Sequence, residues 1–232
     1  MIARLPAILI GSVLAASSAQ AAERNFSVSS FDRIRVDGPF KVRLTTGVAP
    51  FARATGSATA IDRVSIDLQG RTLVVRRNPS ASGGYPGQAP GPVEIAVGTH
   101  ELSAAWVNGA GALAIDRVKG LSFDLALQGV GTAAIGQANV DQLKIGISGA
   151  GGVTIAGTSP KLTAIVRGTS TLDAGALATK DALVGAEGAA AVRVNASNSA
   201  KVDVRGTSSV DVSGNPACTV SVEGSGVVTG CR

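Results

Sequence analysis

Few side chains in this 232-residue chain are equipped for chemistry. There are two cysteines, Cys218 and Cys231, and one histidine, His100. A zinc site built from Cys and His lacks ligands here if the cysteines pair, and neither metal nor cofactor is expected. A Ser-His-Asp arrangement would have to use His100, and no Gly-x-Ser-x-Gly elbow presents a serine. His100 is expected on the surface of a turn. Glycoside hydrolysis needs two acids flanking one bond. Asp116, Asp124 and Asp141 are the acids to weigh, and their spacing does not cluster them. Where acids recur at one position, at Asp173 and Asp211, Arg193 falls between them. These residues point away from an enzyme. A carbohydrate-active β-helix enzyme is the alternative.

Binding chemistry is better represented. Residues 22–77 hold ten Lys/Arg against five Asp/Glu, whereas residues 78–232 hold ten against eleven. The basic segment suits anionic partners such as acidic glycans, lipopolysaccharide or another envelope protein. Arg33, Arg35, Lys41, Arg43, Arg76 and Arg77 are the candidate contacts, with Trp106, the one tryptophan, as a surface for a sugar ring. Nucleic acid fits poorly, because aromatics are 3% of the chain and bases need faces to stack on.

The compartment follows from the first residues. Arg4 precedes an apolar run from Leu5 to Ala16, and Ala19-Gln20-Ala21 is a small-residue cleavage site. Residues 1–21 read as a cleaved secretory signal, since the run is too short to span a bilayer. No later integral membrane segment is expected. The protein should be exported, to the periplasm or the bacterial cell surface. In that setting Cys218 and Cys231 read as a disulfide. It closes a loop of about 14 residues, worth about 3 kcal/mol.

These residues must be positioned by a repeat. Gly109, Gly129, Gly149, Gly168, Gly188, Gly206 and Gly224 recur at intervals of 18 to 20 residues. Four and two residues before each glycine, and four after, stand aliphatic residues such as Leu125, Leu127 and Ala133. Six after, the column is Ile115, Ile135, Ile155, Ala174, Val194 and Val212, broken only by Gly230. Alternation with period two on both sides of a glycine bend means two short strands per repeat. A fixed period with no helical segment predicts an all-β fold, a single-stranded right-handed parallel β-helix of about 18–20 residues per coil. One residue before the glycine, Arg167, Glu187, Arg205 and Glu223 alternate in sign. Five after, Asp173, Arg193 and Asp211 do the same. Stacking would turn both series into charge ladders that fix register.

Ahead of Asn108 the β pattern loosens. Ile34 to Val36 leads through Asp37-Gly38 into Val42 and Leu44, and Val64 to Leu68 turns at Gln69-Gly70 into Leu73 to Val75. These read as longer, irregular first coils continuous with the repeats, in one domain over residues 22–232. Residues 78–92, with Pro79, Pro86, Pro90, Pro92 and Tyr85, read as an inserted loop.

The ordered set Phe31, Ile34, Val36-Asp37-Gly38-Pro39-Phe40, Val42, Leu44, then Leu73-Val74-Val75, Val93-Glu94-Ile95 and the runs at Gly109, Gly129 and Gly149 resembles the bacterial "putative autotransporter adhesin, head GIN domain" family. The resemblance covers essentially the mature chain. It implies a β-helical exported protein with an adhesin-like role, and brings no catalytic residues. The expectation is therefore a non-enzymatic adhesin or envelope-surface binding module. A structural protein that self-associates through its coil edges is a further alternative.

Overall fold

The structure is a computed structural model describing residues 22–81 and 91–231. The expected signal segment and residues 82–90 of the expected loop lie outside the described residues.

The N-terminal region comprises β1 (Ala22–Phe26), β2 (Arg33–Asp37), β3 (Lys41–Thr46), β4 (Phe51–Gly56), the short helix α1 (Ala58–Ile61), β5 (Val64–Gln69), β6 (Thr72–Arg77) and β7 (Glu94–Thr99). The regular coils follow as β8 (Ala104–Gly109), β9 (Ala112–Gly129), β10 (Thr132–Gly149), β11 (Gly152–Thr158), β12 (Lys161–Gly168), β13 (Thr171–Gly188), β14 (Ala191–Gly206), β15 (Ser209–Ser213), β16 (Ala217–Gly224) and β17 (Val227–Thr229).

From β8 onward every pairing is parallel, and like positions of successive repeats lie side by side. The fold is the expected parallel β-helix. One face carries the segment before each corner glycine, with Leu125 beside Ile145, Ile145 beside Ala164, and Ala164 beside Val184. A second face carries the segment after it, with Leu113, Ala133, Val153 and Leu172 in line. We call these face A and face B. Residues at the inward positions form one continuous apolar cluster from Phe31 to Val212. Each fully buried Leu, Ile or Phe contributes about 1.5–3 kcal/mol of transfer free energy before entropy is counted.

The corner explains the small residues. Gly168 has φ +90°, and a Cβ on it would sit 2.2 Å from the carbonyl oxygen of Gly149 in the coil beneath. That contact follows from the corner hydrogen bonds, in which Thr169 N–H donates to Gly149 O at 2.8 Å. Only glycine meets both the backbone conformation and the approach. Two residues later the tiny side chain has its own task, because Ser170 Oγ donates to Gly149 O and Ser208 Oγ to Gly188 O.

The first charge ladder forms. Arg167 Nε lies 3.0 Å from Glu187, Arg205 lies 3.7 Å from Glu187, and Arg205 Nε lies 3.2 Å from Glu223. The second is in register, Asp173 beside Arg193 and Arg193 beside Asp211, but does not close into ion pairs. Asp173 instead accepts from Gly175 N–H, and Asp211 from the Thr229 hydroxyl. Nearer hydrogen-bond donors satisfy these carboxylates.

The first coils do not stack in chain order. β2 lies between β6 and β8, and β3 between β7 and β9. The earliest coil is therefore covered on one side by a later one and on the other by the start of the regular series. Antiparallel strands finish this end: β5 lies on β6, β4 on β7 and β1 on β4. The hairpin at Gln69-Gly70 places β5, with Gly70 at φ +61°. Ser57 Oγ caps α1 by accepting Ala60 N–H at 3.2 Å. Reversing strand direction here leaves no parallel edge for another coil.

Candidate functional site

The seven candidate contacts are divided between the two faces. Arg33 and Arg35 project from β2 on face A, and Trp106 is the register partner of Arg35 on β8. Arg35 is tied to Asp37 at 3.0 Å, and Asp37 accepts the Asn108 amide at 2.7 Å. Arg76, on β6, is held by Asp67 at 3.0 Å. Ser65 and then Arg76 hydrogen bond to that carboxylate and hold Asp67 below the usual carboxylate range. Arg77 lines a separate cleft of about 230 Å³ with Pro39, Phe40 and Arg63. Lys41 and Arg43 belong to face B. Neither makes an ion pair among the described residues.

Lys41 and Arg43 stand at one end of a trough of about 380 Å³ that crosses face B. Two outward rows make it. One runs Glu94, Lys41, Ala112, Thr132, Gly152 and Thr171. The other runs Ala96, Arg43, Ala114, Ala134 and Thr154 to Asp173. Long side chains, Lys41, Arg43 and Glu94, stand at one end, and Ala, Thr and Gly carry the rows across the next three coils to Thr171. The recess is therefore made by side-chain length on an even sheet. The walls are hydrocarbon and hydroxyl, Lys41 and Arg43 sit at one end with the Glu94 carboxylate on the strand beside Lys41, and the outward rows lie on strands locked by parallel pairing. The floor was readable at the third and fifth residues after Gly109, Gly129 and Gly149, all short, but apolar columns inside the coil mask that signal in the sequence.

Asp116, one of the acids weighed for catalysis, ties two parts of the fold together. Asp116 accepts Thr46 N–H at 2.9 Å and the Thr46 hydroxyl at 3.3 Å, fastening β3 to the turn in β9. Asp124 is the register partner of Lys144. Asp181 accepts Ser199 and Asn198, both at 2.6 Å, and these bonds hold it below the usual range. No group of three His, Cys, Asp or Glu side chains converges among the described residues. His100 is exposed at the bend after β7, as expected, where its carbonyl accepts Gly47 N–H.

The family model described as "putative auto-transporter adhesin, head GIN domain" matches residues 30–216, from the first buried phenylalanine to the last turn before β16. The chain belongs to the head GIN domain family. Its fold recurs in a "putative adhesin" from Bacteroides fragilis, at 21% identity over 91% of this chain and 97% of that one, with a TM-score of 0.82. A "putative lipid binding protein" from Parabacteroides distasonis is similar at 17% identity over 90% and 96%, with a TM-score of 0.72. A "putative adhesin" from Parabacteroides merdae matches at 16% identity over 90% and 95%, with a TM-score of 0.67. Among curated proteins none matches this head GIN domain. At these identities the structures share the fold, and the trough must be judged on its own residues.

Proposed function

We propose that this head GIN domain is an exported, non-enzymatic envelope-surface binding module that takes an anionic amphiphile of the lipopolysaccharide type along the face B trough. The carrying observation is the trough itself, with unpaired Lys41 and Arg43 at one end of a floor of Ala112, Ala114, Thr132 and Ala134. Such a surface offers charge to a phosphate or carboxylate and hydrocarbon to an acyl chain or sugar face. The family's adhesin description supports a surface role. The lipid-binding description of the P. distasonis neighbour is compatible with the hydrocarbon floor. Arg33, Arg35 and Trp106 on face A form a secondary contact area, in which Arg35 is already engaged by Asp37.

Purified residues 22–232, disulfide intact, are titrated with lipopolysaccharide and with a neutral glycan at low and physiological salt. Saturable binding of the former alone is expected. Each cation near an anionic surface is worth about 1 kcal/mol, so Lys41→Ala with Arg43→Ala should weaken binding roughly tenfold or more. Arg76→Ala, which removes a cation already paired with Asp67, should change it little. Equal loss from both, or binding that disappears at physiological salt, rejects the trough as the site.

A further inference from the structure

The two ends of the β-helix are finished in opposite ways. At the N-terminal end, antiparallel strands cover the last parallel edge. At the other, among the described residues, β16 pairs only with β14 and β17 only with β15, so each leaves a row of backbone donors and acceptors open. The apolar columns also run out there: Val220 and Val222 are 42% and 44% exposed, whereas Val202 and Val204, in register one coil beneath them, are buried. Cys231 bonds back to Cys218 of the same coil, turning the last winding into a ring.

Open sheet edges are commonly guarded by lysine, proline or bulges. Here Pro216 precedes β16, and Glu223 is the one ionisable side chain in the two end strands, already paired with Arg205 beneath. A partner must bring an unpaired strand edge, an apolar end of matching outline and no like charge opposite Glu223. The N-terminal end of a second copy fails on the second count: among the described residues its outermost strands, β1 and β5, each keep one free edge, but they carry Glu23, Arg24 and Asp67 and no exposed apolar run. The C-terminal end meets all three.

We propose that this face is an isologous interface between two copies of the chain, joined tail to tail by antiparallel pairing of β16 with its counterpart about a two-fold axis at Ser221. That register sets Val220 opposite Val222 of the other copy and keeps the inward residues of both on one side of the sheet, as pairing requires. Glu223 then faces Thr219, whose hydroxyl can donate to it. Moving the axis to place Glu223 opposite Glu223 would align like charges and set Val222 against Gly224. The molecule already accepts an antiparallel strand on a parallel stack at its other end, where β4 lies on β7. The residues from Gly214 to Cys231 approach the roughly 20–30 a side of a standard interface. Because a two-fold contact closes, assembly stops at two.

This interface lies at the coil end, so its test is independent of the trough. Residues 22–232 with the disulfide intact are measured by light scattering across a concentration series. The expected result is a shift from one chain to about twice that mass, with no larger species. Val222→Asp should return the protein to one-chain mass at every concentration while its circular dichroism and melting temperature stay near the parent's. A parent of one-chain mass throughout overturns the proposal whatever the variant does. Open-ended growth also overturns it, since that requires the N-terminal end to take part. A dimer unaffected by both Val222→Asp and Val220→Lys would place the contact elsewhere and reject this one.

Discussion

The region before Asn108 and the coils after it solve one problem differently. Both wrap apolar residues around a narrow axis. The regular coils do it with aliphatics and a glycine at each corner, so one coil specifies the next. The N-terminal region holds Phe26, Phe31, Phe40 and Phe51, a helix, a hairpin and antiparallel strands. Phe123 is the one phenylalanine in the regular part, fully buried where the repeat columns begin. Repetition is economical for stacking but offers no way to stop. Stopping takes a reversal of strand direction at one end and a covalent ring at the other.

Corner glycines test that contrast most strongly. Gly168→Ala must accept a left-handed backbone and press a methyl group into Gly149 O. The conformation costs about 1–2 kcal/mol and overpacking about 1–3 more. Gly47, at φ +76° in the N-terminal region, has nothing within 4 Å of an added Cβ. Gly47→Ala should carry only the conformational cost. Denaturant unfolding of both variants separates the two, and equal losses would mean that the coils do not approach as closely as described.

The ring comes next. Reduction of Cys218–Cys231, or Cys218→Ser with Cys231→Ser, should remove about 3 kcal/mol by loop-entropy arithmetic. Hydrogen exchange should rise in β16 and β17 while β9 and β10 stay protected. Loosening of β1 to β5 by the same change would break the picture of two separately finished ends.

Smaller effects belong to the charges. Glu187→Gln removes both neighbours' ion pairs from the face A ladder. These are exposed pairs, worth about 0.2–1 kcal/mol each at low salt and less at high salt, which paired melting curves can read. In the N-terminal region, Ser65 and Arg76 hold Asp67 below its ordinary value. A carboxylate with a lowered folded-state pKa stabilises above its unfolded value, near 3.8 for this group. That contribution fades as the pH falls through the folded value. Asp67→Asn should therefore flatten acid destabilisation slightly below about pH 4, read from melting curves across acid pH.

The difference between regions also governs how much could be read beforehand. Val202, Val204, Val210 and Val212 disclose their faces because each has counterparts one period away. The same columns gave the Arg167, Glu187, Arg205 and Glu223 ladder. Alignment in sequence did not guarantee contact at Asp173 and Arg193, where Gly175 N–H lies closer to the carboxylate. No counterpart exists for β2 and β3, so their place between later strands leaves no periodic trace. The candidate cations were identified as residues and not as a site. Lys41 and Arg43 share a face with Ala112 and Thr132 only because β3 lies beside β9, which is a contact distant in sequence.

By itself the sequence determined the period, the strand alternation, the glycine corners and the pairing of its two cysteines. Each depends on residues near in sequence or on one coil repeated. Tertiary structure alone decided the order in which the first coils stack, which cations are neutralised, where short outward side chains open a trough and which end of the stack remains uncovered. Those outcomes depend on which backbone edges meet across long separations, and a short-range pattern does not encode them.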